Sequence, residues 1–353
     1  MILRFPDPAD SLPNPADRIR IVESPADCAL FWKHFRGDKM AGKSRKSIEP
    51  ALEQARQALA QKLAQHAVKV GENQTVISGL LLFRRTSPTS HYCGAYEPSF
   101  NLFAQGRKRV KLGDNVYDCT GSSFLISSID VPVESQIVEA SEESPLLSLL
   151  LKLDMTIVRE ILTHEDVLEY PRAPKASGMA MGIASIELLE VCARLIGLLS
   201  RPRDIPFMSG LIQREIVYRL LCSPQGQRLR AIATSGDLSN RTARAITWLK
   251  DNYSRPLHMD ELASVAHVGV STLHHQFRAL TSMSPLQYQK TLRLHAARKR
   301  MLVGGLDATS AAYEVGYESV SQFNREYSRL FGQPPMRDVK SLRDNNVATL
   351  DAA

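Results

Sequence analysis

A run of hydrogen-bonding side chains in the last third of the sequence is the feature best suited to contact another molecule. In YEVGYESVSQFNREYSRLFGQPP, residues 313–335, Gly316 ends a helix of small residues, and a second helix can begin after Ser319. The expected buried stripe of that second helix, at i, i+4 and i+7, consists of Phe323, Tyr327 and Leu330. Its opposite face carries Val320, Ser321, Gln322, Asn324 and Arg325. Such side chains can hydrogen-bond to base edges or to phosphates.

The same pattern occurs once before, in residues 260–285, DELASVAHVGVSTLHHQFRALTSMSP. At an offset of 49, Ala263 falls on Ala312, and at an offset of 50, Phe277 falls on Tyr327. The outward face of this first copy consists of Ser271, Thr272, His274 and His275. Each copy therefore predicts a short helix, a tight turn and a second helix, which is a helix-turn-helix unit.

The turn of each copy is constrained by the residue that ends its first helix. Gly316 can adopt the positive φ that a tight turn often needs, whereas the first copy has His267 at that position. We expect the first turn to be differently shaped or mildly strained.

His274 and His275 point about 100° apart on a helix, so we do not expect them to share a metal ion.

A basic helix is predicted between the two copies. Residues 286–302, LQYQKTLRLHAARKRML, run without a break and would join the two units rigidly. Lys290 and Arg298 lie on this helix, and we expect them to bind phosphates in a salt-dependent way.

The charge distribution agrees with an anionic partner. The chain of 353 residues carries a net charge of +7, and residues 237–340 hold 14 Lys and Arg against 9 Asp and Glu. The five cysteines are scattered without a CxxC pair, which favours a reducing cytoplasm over a disulfide framework. No apolar run is long enough for a membrane span, and the Pro-rich, acidic first residues are unlike a signal peptide.

The first half of the chain predicts an α+β arrangement. An amphipathic helix over 48–68 precedes several short runs of β-forming residues over 75–153, with LGDN at 112–115 as a hairpin turn. Antiparallel strands of this length indicate a small barrel or sandwich. Two apolar helical stretches in 178–222 either cover one side of it or meet a second subunit.

These observations predict the domain organisation of the chain. The predicted segments are a flexible extension (1–47), a helix with a sensor barrel (48–168), a helical pair for dimerisation (178–222), a linker (223–240), a double helix-turn-helix domain (241–340) and a tail (341–353).

Catalytic chemistry has little support in the sequence. A metal-binding barrel needs two or three histidines and a carboxylate, but the barrel region contains only His91, and His66 lies in the helix before it. We expect neither a catalytic residue nor a metal site, cofactor or enzymatic activity. Candidate residues of a ligand pocket, which bracket the central strands, are Glu97, Phe100 and Arg107.

Residues 241–340 resemble the double helix-turn-helix domain of the AraC/XylS family of transcriptional regulators. The resemblance rests mainly on AAYEVGYESVSQFNREYSRLFGQPPMRDV, with its glycine-aromatic turn, serine cap and Phe-Gly-x-x-Pro ending. The sequence departs from the family pattern in having Gly269 as a cap, Pro335 where serine is common and Arg337 where tyrosine is usual. Gly is an acceptable cap, so DNA binding is still expected. The segment from PSFNLFAQG to QIVEAS resembles the cupin-like N-terminal domain of one subgroup.

The resemblance implies a cytoplasmic homodimer that binds promoter DNA and senses a small molecule. RNA polymerase is a further expected partner, and no membrane is expected. Two alternatives stay open. One is a cupin-type metal enzyme with a helical appendage, and the other is a DNA-binding module whose barrel only mediates dimerisation.

Overall fold

The structure, a computed structural model, describes residues 45–163, 177–234 and 236–350. The predicted extension, 1–47, lies outside these residues except for its last three, which begin helix α1 (Arg45–His66). Leu59 and Leu63 of α1 are fully buried against the sheet that follows, as the amphipathic pattern predicts.

In the described part of the chain, ten antiparallel strands form two sheets. The larger sheet has the order β1-β2-β9-β4-β7-β10 and the smaller one β3-β8-β5-β6. The strands are β1 (Gly71–Gln74), β2 (Leu80–Arg85), β3 (Tyr92–Tyr96), β4 (Ser99–Gln105), β5 (Arg107–Leu112), β6 (Asn115–Cys119), β7 (Ser123–Ser127), β8 (Val131–Glu139), β9 (Leu146–Lys152) and β10 (Met179–Ile183). Leu112 pairs with Asn115, which confirms the predicted two-residue hairpin turn.

The α+β class is confirmed, but the β-rich part is a pair of sheets rather than a closed barrel. Among the described strands, β1 and β10 are the edges of the larger sheet, and β3 and β6 are the edges of the smaller one. One face of the larger sheet packs against helices, and its other face looks toward the smaller sheet. Register shifts interrupt β4 between Phe103 and Gln105, and β5 between Arg107 and Lys108.

Short helices follow the strands and cover the larger sheet. They are α2 (Met155–Ile161), α3 (Ile186–Gly197), α4 (Ile205–Leu221) and α5 (Gln227–Ala233). The helical pair α3 and α4 buries Leu195 and Ile216 against the sheet, which is the covering role weighed for residues 178–222, although residues 179–183 form β10 instead of helix. Within the predicted linker, 223–240, the helix α5 buries Leu229 and Ile232.

Seven α-helices follow within the described residues 236–350. They are α6 (Leu238–Asp251), α7 (Met259–Ala266), α8 (Val270–Thr281), α9 (Pro285–Val303), α10 (Ala308–Glu314), α11 (Val320–Phe331) and α12 (Pro335–Leu350). Residues predicted as a tail, 341–353, instead continue α12 as far as Leu350. Among the described residues, no helix is both long enough and apolar enough to cross a bilayer.

The two predicted helix-turn-helix units are α7–α8 and α10–α11. Their small crossing residues, Ala263 and Ala312, are buried, as are Phe277 and Tyr327 on the inward stripes. The first unit shares a hydrophobic core with the smaller sheet, whereas the second has a core of its own. Gly316 has a φ of 91° and His267 a φ of 51°, so both turns use the left-handed region, at an energetic cost for the histidine.

Candidate nucleic-acid interface

The second helix of each unit turns a hydrogen-bonding face to solvent. On α8, Ser271, Thr272, His274 and His275 are all exposed, opposite the fully buried Leu273 and Phe277. On α11, Ser321, Asn324 and Arg325 are exposed, while Val320 and Gln322 are partly buried. Both faces therefore lie where the sequence predicts them. We call α8 and α11 the reading helices.

The amino-terminal end of α11 is held in place by local hydrogen bonds. The hydroxyl of Ser319 accepts from the backbone N–H of Gln322 at 3.3 Å, a typical helix cap. Gly269 precedes α8 without a side-chain cap, which leaves the first N–H groups of that helix to other acceptors. Free N–H groups at the start of a helix favour negatively charged partners such as phosphate.

Two basic residues of α9, Arg298 and Lys290, are paired with carboxylates of the protein, in addition to the role predicted for them. Arg298 donates two hydrogen bonds of 2.8 Å to Asp338, and only 15% of its side chain is exposed. Lys290 donates to Glu326 at 2.7 Å. The phosphate contact of Arg298 stays a prediction, and its guanidinium already has a buried carboxylate partner. Lys290 is likewise paired rather than free.

Arg293 of α9 joins the segment between α6 and α7 to the turn of the second unit. Its guanidinium donates to the backbone carbonyls of Tyr253, at 2.7 Å, and of Gly316, at 2.7 Å. It also donates to the carbonyls of Ser254 and Arg255, in the segment that follows α6. One side chain thus ties the segment that leads into the first unit to the turn of the second unit.

The exposed cations near the reading helices are a different set from the predicted one. They are Arg278, Arg325, Arg329 and Arg337. Of these, only Arg325 was predicted from the sequence to contact DNA. Arg329 could have been found from helix geometry, because it lies four residues after Arg325 and therefore on the same face.

A cavity of about 660 Å3 lies between the two sheets and reaches α6 and α9. Glu97 lines it, as predicted, but Phe100 and Arg107 do not. Phe100 is fully buried on the opposite face of β4, in the core shared with α1, because successive strand residues point to opposite faces. Arg107 pairs with Asp118 and Glu139 at the surface, and its neighbour Lys108 enters the cavity instead.

The cavity has more positive than negative side chains. Its cationic lining residues are Arg85, Lys108, Lys152, Lys250 and Lys299. Its acidic lining residues are Glu72, Glu97 and Asp130. Lys108 differs from the others in its contacts. Its ammonium lies 2.8 Å from the Tyr96 hydroxyl and 5.8 Å from the centre of the Tyr92 ring, and it has no ion pair among the described residues.

Polar contacts connect the cavity wall to α6 and α9, the helices beside the reading units. Lys250 of α6 binds Asp130 at 2.6 Å and Glu97 at 3.3 Å. A hydrogen bond from Lys152, assisted by the charge of Lys250, lowers the pKa of Glu97 despite its partial burial. The Tyr288 hydroxyl of α9 donates to the Asp130 carbonyl at 2.9 Å.

Strand β3 has the cavity on one side and a reading helix on the other. Tyr92 and Tyr96 line the cavity, whereas Cys93 lies between them with its Sγ 3.7 Å from the carbonyl of Leu330, near the end of α11. β3 is also an edge strand and pairs only with β8 among the described strands. β3 therefore links the cavity to the reading helix α11.

Metal chemistry has no support in the described part of the chain. No group of three or more histidine, cysteine, aspartate or glutamate residues is placed there to hold an ion. The residues that line the cavity offer lysine and tyrosine rather than clustered ligands.

Comparison with known proteins assigns both halves of the chain. The profile of the AraC-type transcriptional regulator N-terminus matches residues 76–228, and that of a helix-turn-helix domain matches residues 262–340. The chain belongs to the AraC/XylS family of transcriptional regulators. In this AraC/XylS regulator, the first profile covers the sheet domain and the second covers the reading units.

Relatives of this AraC/XylS regulator include the HTH-type transcriptional activator RhaS. The protein from Yersinia pestis (strain Pestoides F) is 33% identical over 105 residues, which are 30% of this chain and 38% of that protein. The protein from Salmonella paratyphi B is 27% identical over 158 residues, which are 44% of this chain and 56% of that protein. The match thus spans about half, or less, of the length of these relatives.

The fold of the AraC/XylS regulator is similar to that of ToxT from Vibrio cholerae. The 1.65 Å structure of that protein aligns with a TM-score of 0.51 at 11% identity and covers 74% of this chain and 97% of ToxT. At this identity the likeness shows the fold alone. It supports the arrangement of a sheet domain followed by helical reading units.

Proposed function

We propose that this regulator binds specific sequences in double-stranded promoter DNA through α8 and α11, which enter successive major grooves on one face of the duplex. The observation that carries the proposal is that two copies of one unit present polar, exposed faces opposite buried stripes. A helix in the major groove reads base edges through such side chains.

The exposed residues divide into two expected roles. Base readout would come from Ser271, His274, His275, Ser321, Gln322 and Arg325. Phosphate contacts would come from exposed arginines such as Arg278, Arg329 and Arg337, since Arg298 and Lys290 are paired internally. Thr272, Val320 and Asn324 lie beside the base-reading residues and would complete the contact surface.

Selection of bound duplexes from a random library, with the full chain, tests this function. Wild type is expected to enrich a sequence with two short conserved blocks. Arg325→Ala should relax the preference in one block, and His275→Ala should relax it in the other, each by about tenfold at the affected base pair. Lys69→Ala removes an exposed charge from the sheet domain and serves as the control. Failure of wild type to enrich any sequence would refute the proposal.

The cavity between the sheets supports a second role as the binding site of a small-molecule effector. Its volume of about 660 Å3 is in the range of ligand pockets. Five cationic side chains against three acidic ones favour a ligand with negative charge, and Lys108 is the ammonium best placed to bind it. Movement of β3 on binding would reach α11 through Cys93.

A thermal-shift panel of small carboxylates, phosphates and neutral sugars tests the effector role. A ligand that binds the folded state stabilises it by RT ln(1 + L/Kd), where L is the free ligand concentration, so the melting temperature rises with ligand concentration. Anionic compounds are expected to stabilise wild type and to lose that effect in Lys108→Met, while Lys111→Met, on the same strand but outside the cavity, retains it. Stabilisation by neutral sugars alone would contradict the anionic assignment.

Homodimer formation through α4 also stays a proposal. The outer face of α4 exposes Phe207 by 75%, Leu211 by 50% and Tyr218 by 45%. Sedimentation of wild type and Leu211→Glu tests it, with Val116→Glu on the β5–β6 hairpin as a matched exposed control. A wild-type monomer at micromolar concentration would refute it.

Contact with RNA polymerase and a cytoplasmic location stay predictions.

A further inference from the structure

Glu326 accepts hydrogen bonds from three side chains, one on α9 and two in the second unit. Its carboxylate accepts from Lys290 of α9 at 2.7 Å, from the Tyr317 hydroxyl in the turn at 2.8 Å and from the Gln322 amide at 3.1 Å. Burial opposes the charge, but these hydrogen bonds outweigh it and lower the pKa of Glu326. The carboxylate is therefore ionised and fixed in position near neutral pH.

The contact with Glu326 decides which way the Gln322 amide points. An ionised carboxylate only accepts hydrogen bonds, so the NH2 group of Gln322 must face it. The amide carbonyl and the second N–H then remain for another partner, and Gln322 is only half-buried. An acceptor beside a donor matches adenine, which presents N6–H2 and N7 in the major groove.

We propose that Glu326 is a positioning residue that holds Gln322 in an adenine-reading orientation on α11. The inference rests on the DNA-binding function proposed above. Without Glu326, the amide could rotate and present either edge, and its preference among bases would fall. Lys290 completes the arrangement by neutralising the carboxylate, which would otherwise repel the phosphates of bound DNA.

The test uses the full chain and the duplex selected by wild type from a random library. Dissociation constants are measured for all four base pairs at each position of the block assigned to α11. Wild type should prefer adenine by about tenfold at one position. Gln322→Ala should abolish that preference, and Glu326→Gln should reduce it to less than about threefold. The base preferences of the block read by α8 should be unchanged in both variants, which also shows that they are folded.

The possible results separate the inference from the function on which it rests. Retention of the full adenine preference in Glu326→Gln, or its retention in Gln322→Ala, would overturn the inference while DNA binding stands. If Glu326→Gln also alters the block read by α8, Glu326 has a general structural role and the inference is wrong. If wild type enriches no sequence, the proposed function fails, and the inference fails with it.

Discussion

Arg298 and Asp338 form a two-fold hydrogen-bonded ion pair that joins α9 to α12, with both N···O distances at 2.8 Å. The same carboxylate accepts from the Tyr327 hydroxyl of α11 at 2.8 Å, and the Arg298 guanidinium lies 4.3 Å from the centre of the Phe331 ring. This pair therefore holds together the helices behind the second reading face. Its position explains why a basic residue on the connecting helix need not bind DNA.

Loss of this ion pair should destabilise the second unit. Arg298→Ala leaves the Asp338 carboxylate buried and without its cation, so we expect a loss of about 3 kcal/mol or more in the free energy of unfolding. Urea denaturation measures it. Arg325→Ala, which removes an exposed arginine from α11, is the matched control and should change stability by less than about 0.5 kcal/mol. Equal stability of the two variants would show that the pair contributes little.

The salt dependence of DNA affinity distinguishes a structural role of Lys290 from a phosphate contact. Each phosphate contact contributes about 0.9 to the slope of log K against log salt. Lys290→Met should weaken binding to all duplexes alike without changing that slope, because Lys290 is paired with Glu326. The general affinity for DNA should recover in the double variant Lys290→Met with Glu326→Gln, because the carboxylate that repels the phosphates is then removed as well. A slope reduced by about 0.9 in the single variant would identify Lys290 as a phosphate contact after all.

The turn of the second unit has a glycine, Gly316, at a position where a side chain would collide with the backbone. Gly316 has a φ of 91°, and a Cβ there would collide with the carbonyl oxygen of Ser254. Gly316→Ala should therefore cost about 3 kcal/mol or more. Gly332→Ala is the control, since Gly332 has a φ of 79° but open space around it, and it should cost about 1 kcal/mol. Similar losses in both would mean that φ alone sets the cost.

A partly buried histidine should make the stability of the helical region depend on pH. Partial burial, together with the nearby charge of Arg298, lowers the pKa of His295 to about 4, below the usual value of about 6.5. The unfolded chain therefore binds a proton at a higher pH than the folded chain, so stability is lost as pH falls from about 6.5 to 4. The free energy of unfolding is measured at pH 7 and at pH 5 for both proteins. Between these pH values, His295→Gln should lose about 2 kcal/mol less stability than wild type loses. An unchanged difference would rule out this role.

Sequence patterns predicted the reading helices well because their evidence is local and repeated. The spacing of Leu273 and Phe277, and of Phe323 and Tyr327, fixes the inward face of each helix and therefore the outward one. The left-handed turn at Gly316 also followed from residue type. It was harder to predict which strand residues face the cavity, because an error of one residue reverses the face of the sheet. Arg107 was predicted to line the cavity, but its neighbour Lys108 does so, beside a register shift in β5.

The internal pairing of the basic helix could not be found from local sequence. The partners of Lys290 and Arg298 are Glu326 and Asp338, which lie 36 and 40 residues further along the chain. Only the packing of α9 against α11 and α12 brings each carboxylate to its cation. The division into two open sheets likewise could not be predicted, because the strand pattern fits either one closed sheet or two open ones.

Hydroxyl-radical footprinting of the full chain on its selected duplex tests the central claim most directly. If α8 and α11 enter successive major grooves, wild type will protect two short backbone segments about 10 base pairs apart on one face of the duplex. Arg325→Ala should weaken one protected segment and His275→Ala the other. A single protected segment, or two segments on opposite faces, would contradict the account.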